Sequence, residues 1–192
     1  MSDSAHHPSP LTVEDLPWLA PEEGRCELVA GTLVRQPPPG ETHGGIAVDV
    51  AALLHPFVRE RRLGRVFVET GYVLAHDPDT VRGPDVSFVS ADRLAAGARR
   101  GPYLVGAPDL AVEIVSPNDG WRQVAAKVAE YLGAGGGAVW VIDPGRQTVT
   151  THLPDRPPTT LGRGETLEGD PYLPGLHLPV ADLFASEPPL AG

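Results

Sequence analysis

The chain has 192 residues, of which 41% are hydrophobic and 21% charged, a composition typical of one soluble globular domain. It has no apolar run long enough to span a bilayer, no targeting signal at its start and one cysteine, Cys26, so the sequence predicts a cytoplasmic protein with no membrane partner and no internal disulfide. The net charge of −10, from 25 acidic and 15 basic residues, excludes tight binding to nucleic acid through a broad basic face.

The first forty residues predict a short arm followed by a hairpin. Residues 1–20 are polar and proline-rich around one apolar anchor, so they predict a flexible N-terminal arm or one helical turn. Residues 27–35 are two short strand-forming runs around Ala30-Gly31, which favours a β-hairpin. The proline run at 36–40 predicts a loop, since proline fits neither a helix interior nor a central strand.

The middle of the chain predicts a long helix and then strands. Apolar residues recur at helical spacing from 43 to about 62, and Pro56 should kink that helix. Residues 65–75 predict one strand, and a second strand begins at Asp85. Residues 91–107 form a connection with some helical character.

The remaining elements follow from strand-forming runs and one helical pattern. The run 109–117 predicts a strand covered on both faces, and Asn118-Asp119 should cap a helix that continues to about Leu132. Residues 139–143 predict another buried strand, and 180–184 a closing helical turn. Further strands of an antiparallel extension are predicted at 148–153, 165–167 and 176–178. We therefore expect one domain, 21–186, and a flexible tail, 187–192.

Glu113 lies in the middle of an apolar strand. A buried, ionised carboxylate is unfavourable unless a cation, a metal or several hydrogen-bond donors receive it. A buried ion pair or a strand end open to solvent would explain the residue, and so would a metal ligand.

A second carboxylate, Asp85, also precedes a strand, and it favours the metal. Two converging carboxylates repel each other unless a divalent cation lies between them, and oxygen ligands suit Mg²⁺ or Mn²⁺. Lys127 lies three residues after Val124 and four before Tyr131, so it shares or borders the inward face of its helix. Its ammonium group could orient a water molecule or stabilise charge on a phosphoryl group.

These residues together resemble a known family. Pro84-Asp85, the segment from Glu113 to Pro117, Lys127 with Tyr131, and the segment from Val139 to Pro144 are similar to the Uma-two family of bacterial proteins, often called restriction endonucleases, in the PD-(D/E)xK nuclease superfamily. The resemblance extends from about Glu27 to Phe184, and the order and spacing of the motifs carry it.

The resemblance implies a fold and a set of site residues. The fold is α/β (α+β in looser usage), a restriction-endonuclease-like core of a central mixed β-sheet flanked by helices, with an antiparallel extension. Asp85 and Glu113 would bind Mg²⁺ or Mn²⁺, with the backbone carbonyl of Ile114 as a further ligand. Lys127 would replace the superfamily's lysine, whose usual position is Val115 in this chain.

Two further residues acquire roles by resemblance, and one position departs from the family pattern. His43 is either a supporting or proton-transfer group, or a surface histidine at a helix start. Glu27 is either a third acidic site residue or an exposed strand charge. The family commonly has an aspartate four residues before the lysine, where this chain has Gln123.

The function predicted from these residues is metal-dependent hydrolysis of DNA phosphodiester bonds, with a homodimer by analogy. The alternative is a non-catalytic module that keeps the nuclease fold for binding or dimerisation. Contact with DNA would be weak and local, through a rim of arginines, unless these arginines instead pair with surface acids. The arginines of the predicted rim are Arg59, Arg61, Arg62, Arg65, Arg82, Arg99 and Arg100.

Overall fold

A computed structural model describes residues 10–185 except 24, 98, 117 and 118. The predicted tail, 187–192, and residues 1–9 of the predicted arm lie outside the described residues. The helices are α1 (Leu16–Glu23), α2 (Glu41–Glu60), α3 (Ala91–Ala96) and α4 (Trp121–Gly133), with a 3-10 turn at Val180–Phe184. The strands are β1 (Cys26–Val29), β2 (Thr32–Arg35), β3 (Gly64–Val68), β4 (Tyr72–Ala75), β5 (Thr80–Arg82), β6 (Val86–Ser90), β7 (Arg99–Arg100), β8 (Tyr103–Val105), β9 (Leu110–Ile114), β10 (Ala138–Asp143), β11 (Thr148–Leu153), β12 (Arg156–Gly162), β13 (Thr166–Glu168) and β14 (His177–Pro179).

The strands form two six-stranded mixed sheets and one hairpin. The first sheet has the order β2-β1-β5-β4-β8-β7, and the second has the order β12-β11-β10-β9-β6-β3. In the second sheet β9 and β10 are parallel, and α4 is the crossover between them. The strands β13 and β14 form the separate hairpin.

The second sheet is covered on both faces, because alternate residues of its central strands pack into two different clusters. Val112 and Ile114 of β9 point into the larger cluster, which includes the inward side of α2 and the final 3-10 turn. Ala111 of β9 packs instead with Val128 of α4. This explains why the central strands read as continuous apolar runs.

The predicted strand 65–75 is two strands in two different sheets. β3 pairs with β6 in the second sheet, whereas β4 pairs with β5 and β8 in the first. Between them Glu69 has φ of 49°, a left-handed conformation that a continuous strand does not contain. The chain therefore crosses between the sheets here, a change that the apolar pattern on both sides does not reveal.

The strand β12 was missed, since Pro157 and Pro158 argue against a strand. It pairs with β11 alone and forms an edge of the second sheet. An edge strand tolerates prolines because one side of its backbone needs no partner.

The described part of the predicted arm packs against the first sheet. Val13 and Leu16 are each 2% exposed and join Leu28, Val73 and Val81 in a third cluster. Residues 13–20 are therefore part of the folded unit and not a loose arm. Of the described residues, none forms a helix long and apolar enough to cross a membrane.

Asp79 fastens this N-terminal segment to the first sheet. Its carboxylate accepts a 2.8 Å hydrogen bond from the Val13 N–H and pairs with Arg100 at 3.1 Å. Burial alone would raise the pKa of Asp79, but these donors hold it below its ordinary value.

We expect Asp79→Ala to lower the free energy of unfolding by roughly 1–3 kcal/mol, because a buried N–H loses its acceptor. Since the folded-state pKa is depressed, the carboxylate's contribution is present above its unfolded pKa, near about 4, and is lost as the pH falls through the folded value. Urea unfolding between pH 3 and 7, chosen to bracket these values, measures both effects. Glu60→Ala, at the exposed end of α2, is the control, and equal losses in both variants would contradict the prediction.

Candidate active site

Asp85 and Glu113 lie at opposed positions on neighbouring strands. β6 and β9 are antiparallel with Val86 opposite Val112, so one further step of the same register sets Asp85 opposite Glu113. Opposed residues project to the same face of a sheet. The two carboxyl groups are 5% and 6% exposed and share the face that α4 covers.

Three donors receive the Asp85 carboxylate. The Ile114 N–H donates to Oδ2 at 2.7 Å, His43 Nε2 lies 3.2 Å from the same oxygen, and Arg25 donates to Oδ1 at 3.3 Å. Although burial alone would raise the pKa of Asp85, His43 and the Ile114 N–H hold it below its ordinary value. The hydrogen bond to Asp85 in turn raises the pKa of His43. Asp85 is therefore held as a carboxylate.

Glu113 is held by two side chains of α4. Lys127 Nζ donates to Oε2 at 2.8 Å, and the Tyr131 hydroxyl donates to Oε1 at 2.7 Å. Burial raises the pKa of Glu113 to about 7, with Asp85 adding to the rise and Lys127 and Tyr131 opposing it. The site thus contains more negative charge than its own donors balance.

Lys127 lies between two carboxylates. Its Nζ is 3.6 Å from Glu27 Oε1 as well as 2.8 Å from Glu113. Burial alone would favour the neutral amine, but Glu113 and Glu27 hold the pKa of Lys127 above its ordinary value. Lys127 is therefore an ammonium ion at neutral pH.

Glu27 connects the site to the first sheet. It accepts hydrogen bonds from Arg82 at 2.8 Å, Gln36 at 2.9 Å and the Gly83 N–H at 3.1 Å. Arg82 also pairs with Glu130 of α4, where Nη2 donates to Oε1 at 2.9 Å. Arg82 therefore ties β1, β5 and α4 together and fixes the turn of helix from which Lys127 projects.

The structure brings the predicted side chains together. His43 contacts Asp85, Asp85 lies opposite Glu113, and Lys127 bridges Glu113 to Glu27. His43 and Glu27 are both turned inward, so neither is the exposed charge that the sequence left open as an alternative.

Ile114 presents its peptide groups to Asp85. The Val115 N–H donates to Ile142 of β10, and successive residues of a strand direct their peptide groups to opposite neighbours. The Ile114 carbonyl therefore points toward the side where its own N–H meets Asp85. This is the position that a backbone ligand beside Asp85 would need.

The sequence missed four residues of this network: Arg25, Arg82 in its buried role, Glu130 and Tyr131. Glu130 and Tyr131 lie three and four residues after Lys127, and that helical spacing could have revealed them. Arg25 and Arg82 meet their partners across long sequence separations, for which no local signal exists.

The predicted arginine rim is not where the sequence set it. Arg82 is buried in two ion pairs, and Arg100 pairs with Glu14 and Asp79 as the alternative held. Arg59 lies sixteen residues after His43 on α2, about 24 Å along the helix axis at about 1.5 Å per residue. The arginines at that end of α2 are therefore remote from Asp85.

The chemistry of the donors fits a hard divalent cation. Within the described ranges no three His, Cys, Asp or Glu side chains are grouped as a metal site. Mg²⁺ needs no such group, because it is commonly held by one or two carboxylates together with water and substrate phosphates. Each Glu113 oxygen has two acceptor positions, and Lys127 and Tyr131 each use one. Asp85, Glu113 and the Ile114 carbonyl therefore form an all-oxygen set suited to Mg²⁺ or Mn²⁺.

Gln123 has a structural role at the start of α4. Its side-chain oxygen accepts a 3.3 Å hydrogen bond from the Gly120 N–H, one half of a capping box. The predicted cap falls partly outside the described residues at Asn118, and Asp119 accepts instead from the Ser116 N–H at 2.8 Å.

Comparison with known proteins identifies the family. The family model Uma2, described as "Putative restriction endonuclease", matches residues 12–181. The chain belongs to the Uma2 family. This confirms the resemblance drawn from the motifs, and no curated protein matches this Uma2 chain.

A solved structure shares the fold of this Uma2 chain. The crystal structure described as "a putative nuclease belonging to DUF820" from Anabaena variabilis ATCC 29413 is 24% identical, over 92% of this chain and 98% of that one, with a TM-score of 0.78. The match confirms the predicted α/β class, with mixed sheets flanked by helices.

We expect Arg82→Met to lower the free energy of unfolding of this Uma2 chain by roughly 3 kcal/mol, because Glu27 and Glu130 lose their shared cation. Urea unfolding measures the change. Arg65→Met, at an exposed position of β3, is the matched control and should stay within about 0.5 kcal/mol of wild type. A loss below about 1 kcal/mol in the Arg82 variant would show that the ion pairs do not support the fold.

Proposed function

We propose that this chain is a divalent-metal-dependent endonuclease that hydrolyses DNA phosphodiester bonds. The observation that carries the proposal is the pair of buried carboxylates, Asp85 and Glu113, opposed on one sheet face with the Lys127 ammonium 2.8 Å from Glu113. The family description and the similar structure from Anabaena variabilis support the nuclease class.

In this proposal Asp85, Glu113 and the Ile114 carbonyl hold Mg²⁺ or Mn²⁺. When bound, such an ion supplies positive charge to phosphoryl oxygens and makes water more acidic. The raised pKa of Glu113 supports a cation at this position, because positive charge there relieves the repulsion from Asp85.

Lys127 is proposed as the catalytic ammonium group. It is charged at neutral pH, and its anchors on Glu113 and Glu27 hold it beside the carboxylate pair. From there it stabilises negative charge that develops on the phosphoryl group, a role in which one such donor contributes roughly 10²–10³ in rate. Glu27, Arg82 and Tyr131 act through Lys127 and Glu113 and are positioning residues.

His43 is proposed as the group that holds a proton at the edge of the site. Its Nε2 faces Asp85, and its raised pKa favours the imidazolium ion. Its Nδ1 is buried and has no hydrogen-bond partner among the described residues. That atom is directed by the Asp85 contact and remains able to donate to a substrate or water oxygen.

Cleavage of defined DNA substrates tests the proposal. Supercoiled, linear duplex and single-stranded DNA are incubated with Mg²⁺, Mn²⁺ or EDTA, and Asp85→Asn and Glu113→Gln should each abolish metal-dependent cutting. The exposed Asp155→Asn and Glu60→Gln variants are matched controls for the same chemical changes. Light scattering in the same buffers measures whether the chain is the homodimer that cutting both strands would favour.

A non-catalytic module with the same fold is the second candidate function. Gln123 at the family's aspartate position and the net charge of −10 favour it. DNA binding that Asp85→Asn weakens, without cutting of any DNA form under any metal, would establish that function instead of ours.

Lys127→Met should slow single-turnover cleavage by roughly 10²-fold or more, because the substrate loses a charge-stabilising donor. The ion pairs change what is expected of folding: Glu113 and Glu27 are left without their shared cation, so stability should also fall. Activity is therefore compared on the folded fraction, quantified by circular dichroism. Arg122→Met, an exposed cation on the same helix, is the control, and full activity in the Lys127 variant would remove lysine from the mechanism.

A further inference from the structure

A groove lies beside the carboxylate site, between the start of α4 and the exposed face of β10, β11 and β12. Its volume is about 270 Å³. Trp121 and Arg146 form one side, Val141 contributes the floor, and Thr150 and Thr160 are among the threonines on the other side. The proposed function makes no use of these residues.

The groove is in register with Glu113. Strand pairing sets Val141 beside Glu113, Thr150 beside Val141, and Thr160 beside Thr150. Paired residues point to the same face, so a single row runs from Glu113 across the sheet to Thr160. At about 4.8 Å between strands, Thr150 lies about 10 Å and Thr160 about 14 Å from Glu113. That span corresponds to roughly three or four nucleotides of one DNA strand at about 3.4 Å of duplex rise each.

The side chains of the groove suit a nucleotide. The Trp121 ring is 55% exposed, which is unusual for so large an apolar group. The Arg146 guanidinium lies 5.4 Å from the centre of that ring and is itself 69% exposed. An aromatic face beside a guanidinium is a surface on which a base stacks while its phosphate is bound.

The polar groups of the groove can exchange their present partners for a ligand. Arg146 Nη1 is 3.6 Å from Asp143, and an exposed pair of this kind is weak. Thr150 and Thr160 hydrogen-bond each other at 2.9 Å, and hydroxyls of this kind can also serve sugar or phosphate oxygens.

We propose that this groove is a nucleotide subsite that seats an unpaired base of the substrate strand on Trp121, with Arg146 on its phosphate. The inference rests on the proposed nuclease function, because continuity with Glu113 is what makes the occupant DNA. The base must be unpaired, since the faces of bases inside a duplex are already covered by their neighbours. The volume is below the roughly 300–1,000 Å³ of sites for drug-sized ligands, so it suits one nucleotide. Stacking also needs no broad basic face, which the chain lacks.

Tryptophan fluorescence tests the subsite without any cleavage. In the Trp18→Phe chain the remaining tryptophans are Trp121 and the buried Trp140, so a stacked base should quench Trp121. A single-stranded oligonucleotide is titrated in EDTA against an abasic strand of equal length and against a duplex. We expect quenching by the normal strand and roughly tenfold weaker binding of the abasic strand, the effect of losing one stacked base.

Matched variants assign the effect to this groove. Trp121→Ala should weaken binding of the normal strand by roughly tenfold and abolish its advantage over the abasic strand. Arg146→Gln should weaken both strands equally. Trp18→Ala removes a still more exposed tryptophan from α1, 83% exposed, and should change neither.

The proposal is overturned if the normal and abasic strands bind equally, if the duplex is preferred, or if no strand quenches Trp121. These comparisons use the unaltered groove, so they decide the matter even if Trp121→Ala does not fold. Cutting assays separate the two proposals. Cutting that is independent of Trp121 would refute the subsite alone, whereas base-dependent binding without cutting under any metal would refute the nuclease function alone.

Discussion

Three carboxylates are buried at one point of this molecule, and the arrangement of the sheets there depends on the cations that reach them. Glu27, Asp85 and Glu113 are each at most 6% exposed, and burial of an ionised carboxylate without a partner is costly. Lys127 serves two of them, and Arg82 joins Glu27 to α4. The electrostatic balance therefore does structural work, since it joins the first sheet, the second sheet and α4 around the site.

The alternation of side chains along β9 explains why the site is on one face only. Even-numbered residues of the strand, such as Val112, fill the larger core, while Glu113 points toward α4. The parallel pairing of β9 and β10 requires a crossover, and α4 is that crossover, so the helix that closes the loop also lies over Glu113. Topology thus delivers Lys127 and Tyr131 to the carboxylate although they follow it by 14 and 18 residues.

The sequence predicted the elements with strong local patterns and the side chains whose chemistry is anomalous. Glu113 was recognisable because a charge in an apolar strand needs a partner, and β9, α2 and α4 followed from their periodicity. What the sequence could not give was the division of the strands between two sheets, because the change at Glu69 is a backbone turn with no distinctive composition. Arg82 was misread as a surface cation for the same kind of reason: its burial depends on Glu27 and Glu130, which are distant in sequence.

The local charge at the site differs from the charge of the whole chain, and this decides how an acidic protein could approach a phosphate. The net charge of −10 is spread over the chain, whereas around Asp85 and Glu113 the carboxylates are matched by Lys127, Arg82 and other cations. A phosphate entering there meets a nearly balanced site, and one divalent ion would make it positive. At about 8 Å of screening length in physiological salt, most surface acids contribute little at that depth, and the local set dominates. Affinity would then have to come from that ion and from short-range contacts such as stacking, because the surface has no basic face to provide it.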